Sequence, residues 1–124
     1  MDKRRILIVD DEPGLLRLLA LMLTHLGHYE VLTVVEATHA LEAVVECRPD
    51  LVLLDWIMPT MNGGDVARQI RSDSRIRDTR ILFLSAIMLK RDSPGELAGC
   101  PAVAKPIGIH ELVEAIDEQL RRVA

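Results

Sequence analysis

Apolar residues along the chain fall into two patterns. Short, mostly apolar runs occupy positions 5–9, 30–35, 51–54, 80–84 and 102–104. Between most of them, apolar residues recur every three or four positions. Leu15, Leu16, Leu19, Met22, Leu23 and Leu26 form such a stripe. They predict a helix over about 13–26, with Pro13 in its first turn and Gly27 stopping it. Ala40, Leu41, Val44 and Val45 predict a second helix, with Thr38 available as its cap and an end near Arg48-Pro49. Asn62-Gly63-Gly64 reads as a turn, and Val66, Ala67 and Ile70 line a short third helix after it. Ile109, Leu112, Val113, Ile116 and Leu120 predict the last helix. The run Leu51-Val52-Leu53-Leu54 lacks polar alternation, as in a parallel strand buried on both faces. Strands alternating with helices predict an α/β domain, a doubly wound sheet of five parallel strands.

One interval departs from this rhythm. Between Ser85 and Lys105 the alternation asks for a helix, but Pro94-Gly95 breaks any long one. The expectation is a short, late helix starting near Pro94 with Ser93 as its cap. Leu18 and Leu21 are surplus to the first stripe. Leu21, four residues from both Arg17 and His25, lies on the polar side, and the pair reads as scattered exposed leucine. His25 and His28 fall where imidazolium suits a helix C-terminus, a better reading than a metal pair.

Composition narrows the function classes. The 124 residues make one domain, 1–124, that is 49% hydrophobic. A formal net charge of -4 leaves no basic footprint for nucleic acid. No apolar run reaches the ~18 residues of a membrane span, and no signal-peptide pattern follows the N-terminus. Cys47 and Cys100 are far apart, without CxxC spacing. They read as reduced thiols, and the expected location is the cytoplasm.

The chemistry gathers at the ends of the runs. The first ends in Asp10-Asp11-Glu12, the third in Asp55 before Trp56-Ile57-Met58-Pro59, the fourth in Ser85 and the fifth in Lys105-Pro106. In a doubly wound sheet of order 2-1-3-4-5, ligands bind at the carboxyl ends of the strands, in the crevice between strands one and three. The carboxylates converge there, beside a hydroxyl and an ammonium. Each aspartate could instead be a helix cap or a loop residue, but clustered acids repel unless a cation intervenes. Hard oxygen ligands with room for water suit Mg²⁺. Carboxylates, a divalent cation, a lysine and a hydroxyl together suit a phosphoryl group in transfer.

On Val9-Asp10-Asp11-Glu12, Leu54-Asp55-Trp56-Ile57-Met58-Pro59 with Asn62-Gly63, Ser85-Ala86 and Lys105-Pro106, the chain resembles the receiver domains of two-component response regulators. The resemblance covers essentially the whole chain and implies a flavodoxin-like three-layer sandwich. It implies that Asp55 accepts a phosphoryl group from a phosphohistidine of a histidine kinase or phosphotransfer protein. Asp10, Asp11, Asp55 and the main-chain carbonyl of Ile57 would hold Mg²⁺. Ser85 would donate its hydroxyl to a phosphoryl oxygen, and Lys105 would pair with Asp55 and then with the phosphoryl group. The implied role is a signalling switch, not an enzyme with its own substrate, acting on a downstream protein or a fused output domain, with a homodimer possible. The family usually carries Tyr or Phe three residues before the lysine, where this chain has Ala102, and often Asp or Asn where it has Gly108. Two rival readings are a Mg²⁺-dependent phosphohydrolase and a receiver-like module that binds partners without phosphorylation. The first usually places a second acid two residues after the nucleophile, where Ile57 stands; the second usually loses an acid or the lysine.

Overall fold

A computed structural model describes residues 3–122. The chain forms β1 (Arg5–Val9), α1 (Pro13–Leu26), β2 (Glu30–Val34), α2 (Ala40–Cys47), β3 (Leu51–Asp55), α3 (Gly63–Ser72), β4 (Arg80–Ser85), β5 (Gly95–Leu97), β6 (Cys100–Ala104) and α4 (Ile109–Arg121). The sheet order is β2-β1-β3-β4-β6-β5. The strands through β6 run parallel, and β5 pairs antiparallel with β6 at the edge. With β6 as the fifth parallel strand, this is the predicted 2-1-3-4-5 order with one extra edge strand.

Alternation in the central strands supplies both faces of the sheet. Ile6, Ile8, Leu51, Leu53, Leu82, Leu84 and Val103 pack with residues of α1 and α4. Leu7, Val9, Val52, Leu54, Ile81, Phe83 and Ala102 pack with α2 and α3. All five residues of β3 are buried, as its apolar run requires. Two helical layers around the sheet give the three-layer sandwich.

Several local expectations change. In α1 the buried stripe is Leu16, Leu19 and Leu23, while Leu26 is exposed. Tyr29 is buried in the same core cluster just beyond the helix, and its hydroxyl donates to Asp117 of α4. Thr38 lies inside a 3₁₀ turn, Ala37–His39, and no side chain caps α2. Asn62 does more than turn the chain. Its side chain accepts the Asp65 N–H (2.9 Å) and the Asp65 carboxylate accepts the Asn62 N–H (3.1 Å), a reciprocal cap for α3.

The helix expected near Pro94 does not form. A 3₁₀ turn at Lys90–Asp92 leads into β5, and β5 and β6 make a hairpin. The run 94–97 is too short for a helix that must end at Ala98-Gly99. Both of those residues are left-handed, φ 49° and 77°, as a two-residue hairpin turn requires. Ser93 is therefore not a helix cap. Its Oγ accepts the N–H of Ala104 at 3.0 Å, and Lys90 donates to the carbonyl of Pro106. Among the described residues, no helix is long and apolar enough to cross a membrane.

Candidate functional site

The ladder between parallel strands continues one step past the strand ends, and this assembles the site. Val9 pairs with Leu54, which places Asp10 and Asp55 side by side at the ends of β1 and β3. Asp55 pairs with Leu84, and Ser85 with Ala104. The Asp10 N–H donates to Val34 (3.1 Å), the Trp56 N–H to Leu84 (3.0 Å) and the Lys105 N–H to Ser85 (2.9 Å). The backbone at each end is thus held by its neighbour, and the side chains inherit that rigidity.

Lys105 bridges the two buried acids. Its Nζ lies 3.0 Å from Asp10 Oδ2 and 3.1 Å from Asp55 Oδ1. Asp10 and Asp55 are 1% and 6% exposed, so little water screens these pairs. Asp10 Oδ1 accepts the Glu12 N–H (3.0 Å) at the entry to α1, which fixes its carboxylate. Ser85 is fully buried, and its Oγ accepts the Ile87 N–H (3.2 Å). That bond uses a lone pair and leaves the hydroxyl proton free to donate. Asp11 is exposed beside the pair, and ligand atoms of Asp10, Asp11 and Asp55 all lie within 4.8 Å of one another. Three carboxylate oxygens so spaced, open to solvent on the Asp11 side, fit a hard divalent cation that keeps part of its water. Ile57 follows in the turn after β3 with its side chain half-exposed, and only its main chain could join such a set.

The electrostatics reflect this crowding. Burial, then the neighbouring Asp10 charge, pushes Asp55 up to about 6, against the pull of Lys105. Burial also disfavours the Lys105 charge, but the Asp10 and Asp55 carboxylates outweigh it and hold the ammonium above its ordinary range.

A stability effect follows. The folded state binds the Asp55 proton more tightly than the unfolded chain, so ionising Asp55 costs stability. The cost is absent below about pH 4 and complete once pH has risen through about 6. In chelator at pH 7, Asp55→Asn should be up to about 2–3 kcal/mol more stable than the parent, with the gap closing toward pH 4. Urea unfolding across that range checks it. A gap independent of pH would show that repulsion at Asp55 is not its source.

Sequence reasoning missed two supports. Gly63 is buried against the Asp55 carbonyl: a Cβ there would stand 2.5 Å from that oxygen. The Asn-Gly pair signalled a turn but not this approach. Ser93 ties the segment after Ser85 to the strand carrying Lys105, a long-range bond with no local signature.

Against known proteins, residues 6–117 match the model of the response regulator receiver domain. The DNA-binding response regulator MtrA of Mycolicibacterium smegmatis is 39% identical over 97% of this chain and 52% of that protein. The phosphate regulon transcriptional regulatory protein PhoB of Pseudomonas aeruginosa is 33% identical over 96% of this chain and 52% of its own length. The chain thus spans about half the length of these curated relatives. Response regulator TrrA of Thermotoga maritima, solved in complex with Mg²⁺ and BeF, is 34% identical, with a TM-score of 0.79 over 94% of this chain and 98% of that one. The receiver domain of the sensor histidine kinase PA1611 of Pseudomonas aeruginosa, with a magnesium ion in its active-site cleft, is 28% identical, with a TM-score of 0.83 over 97% and 99%. The shared strand order, the match across nearly the whole chain and these relatives agree: the chain belongs to the response regulator receiver domains of two-component signalling.

Proposed function

We propose that residues 1–124 form a single phosphoaccepting receiver that takes a phosphoryl group onto Asp55 and changes its partner surface in response. The observation that carries this reading is the partly buried Lys105 ammonium, 3.1 Å from Asp55 and 3.0 Å from Asp10, where three carboxylates converge. The donor is the phosphohistidine of a histidine kinase or a phosphotransfer protein. An Asp55 oxygen attacks phosphorus, the phosphorus–nitrogen bond breaks, and the imidazole leaves with its electron pair and takes up a proton. Asp10, Asp11, Asp55 and the Ile57 carbonyl would hold Mg²⁺, which supplies charge neutralisation at the phosphoryl oxygens.

The chain's own groups do the rest. Lys105 offsets negative charge on the transferring group from a fixed position. Ser85 has a hydroxyl proton to donate to a phosphoryl oxygen, and turning toward it draws on the Ile87 N–H and the loop behind. The exposed Leu18 and Leu21 of α1 offer an apolar patch for a donor protein's helix. The recipient of the signal is a downstream protein or a fused output domain, and a homodimer is one form it could take. The domain works in the cytoplasm and makes no nucleic-acid or membrane contact of its own.

The test is intact-mass measurement after incubation with acetyl phosphate and Mg²⁺. One added phosphoryl group is expected, and none when chelator replaces Mg²⁺ during the incubation. No gain would favour a module that binds partners unphosphorylated, and steady release of phosphate from small phosphoesters would favour a hydrolase.

Lifetime provides a second check. Ile57 and Ile87, two residues beyond Asp55 and Ser85, are 52% and 58% exposed, and in this family those two positions flank the path of the attacking water. Neither can orient a water in line with the acyl phosphate. Ile57→Asn or Ile87→Glu should shorten the phosphorylated state by up to roughly tenfold, about 1.4 kcal/mol off the barrier. Decay followed after donor removal, no faster in either variant, would mean that apolar shielding does not set the lifetime.

A further inference from the structure

β5 carries the sheet past the cover of α4. In the β5–β6 register, Glu96 faces Pro101 and Leu97 faces Cys100. Leu97, Cys100 and Ala102 pack into the core on the α3 side. Glu96, Pro101 and Val103 therefore turn to the α4 side, where they line a groove of about 860 Å³ between the hairpin and that helix. Ile107 adds to its apolar floor. The rim is acidic: Glu96 on the hairpin faces Glu111, Glu114, Asp117 and Glu118 on α4. Arg121 and Arg122, at the helix end, both pair with Glu118 (3.1 and 3.6 Å). Glu96, Glu111 and Glu114 have no ion-pair partner among the described residues. The outer edge of β5 has no neighbouring strand among them either.

We infer that this groove is a docking site for an extended, basic segment of a partner protein, added as a strand to β5. A bare sheet edge offers backbone donors and acceptors to an incoming strand. Alternate side chains of that strand would then reach the apolar floor and the acidic rim, which calls for aliphatic residues interleaved with lysine or arginine. The acids exclude nucleic acid by repulsion. They also disfavour a second copy adding through its own β5, which would bring one Glu96 toward another. The inference does not depend on phosphorylation of Asp55, because it rests on the groove alone.

The probe is an end-blocked peptide of about eight alternating lysines and valines. Controls are the glutamate–valine peptide and the lysine–valine peptide N-methylated at alternate residues. Binding is followed by amide shifts in heteronuclear NMR spectra of the whole chain. The lysine–valine peptide should move the amides of Glu96, Val103 and Glu114. Its affinity should fall about tenfold with N-methylation, and by a similar factor with E111K combined with E114K. Those two positions are exposed, and an unchanged melting temperature would show that the variant is folded. Shifts centred elsewhere, or none at about 1 mM peptide, would overturn the inference. Equal binding of the N-methylated peptide would overturn strand addition, and equal binding of the glutamate peptide would overturn the role of the rim. Self-association abolished by the charge reversals would assign the groove to a second copy instead.

Discussion

Asp55→Asn should accept no phosphoryl group from acetyl phosphate or from a phosphohistidine donor, a fall in labelling rate of at least about a thousandfold. The amide places its heavy atoms where the carboxylate stood, so fold and cleft survive. It lacks the anionic oxygen that attacks phosphorus. It also weakens the hold on the Lys105 ammonium, which keeps Asp10 at 3.0 Å as its other partner. The same variant is expected to be more stable at neutral pH without metal, so inactivity through unfolding is separable from loss of the nucleophile. Continued labelling at a comparable rate would remove Asp55 from the reaction. Labelling moved to Asp10 or Asp11, read by peptide mapping, would show that the cluster and not one residue is the acceptor.

Gly63→Ala should cost about 2–3 kcal/mol of stability, an overpacking effect. The added Cβ would lie 2.5 Å from the Asp55 carbonyl, 3.0 Å from Phe83 Cε1 and 3.0 Å from Trp56 Cα. Two of those atoms are backbone, at the end of the strand that presents Asp55, and cannot swing aside as a side-chain tip can. Relief must come from moving α3 away or from bending β3. Bending displaces Asp55 relative to Lys105, and a shift of that kind slows phosphorylation by about tenfold or more. The glycine near the start of α1 is the contrast. A Cβ at Gly14 meets nothing within 4 Å, and Gly14→Ala should stabilise by about 0.5–1 kcal/mol through helix propensity. Denaturant unfolding of both variants is the measurement. Similar values for the two would mean that the backbone around Asp55 yields more easily than its packing implies.

Much of the site could be read from sequence because a parallel strand announces its own end. Asp10, Asp55, Ser85 and Lys105 each stop a buried apolar run, and the sheet order then decides which ends are neighbours. Asp11 followed from adjacency alone. The hairpin was illegible for a physical reason. Pro94-Gly95 says where a helix cannot continue, but the choice of extended chain over a late helix depends on a partner, β6, already in place. The turn is disguised as well, since Ala98 occupies a left-handed position that Asn, Asp or Gly usually marks. Leu26 and Thr38 show the limit of periodicity. The stripe of α1 fitted Leu26 as well as Leu23, yet Leu23 is buried while Leu26 is exposed, and Tyr29 is the buried residue just beyond the helix end. Thr38 had cap chemistry, but the chain enters α2 through a 3₁₀ turn that contains it.

Trp56 immediately follows Asp55, with its ring edge-on to Phe83 at a centroid distance of 5.0 Å. The chain has one tryptophan, one tyrosine and one phenylalanine, so light at the red edge of aromatic absorption is absorbed and re-emitted by a single indole. The lone tyrosine sits under the far end of α1, bonded to α4. The chain therefore contains its own optical probe of the carboxylate cluster, in which a cation or a new covalent charge beside the indole registers as a change in brightness or colour without any attached dye.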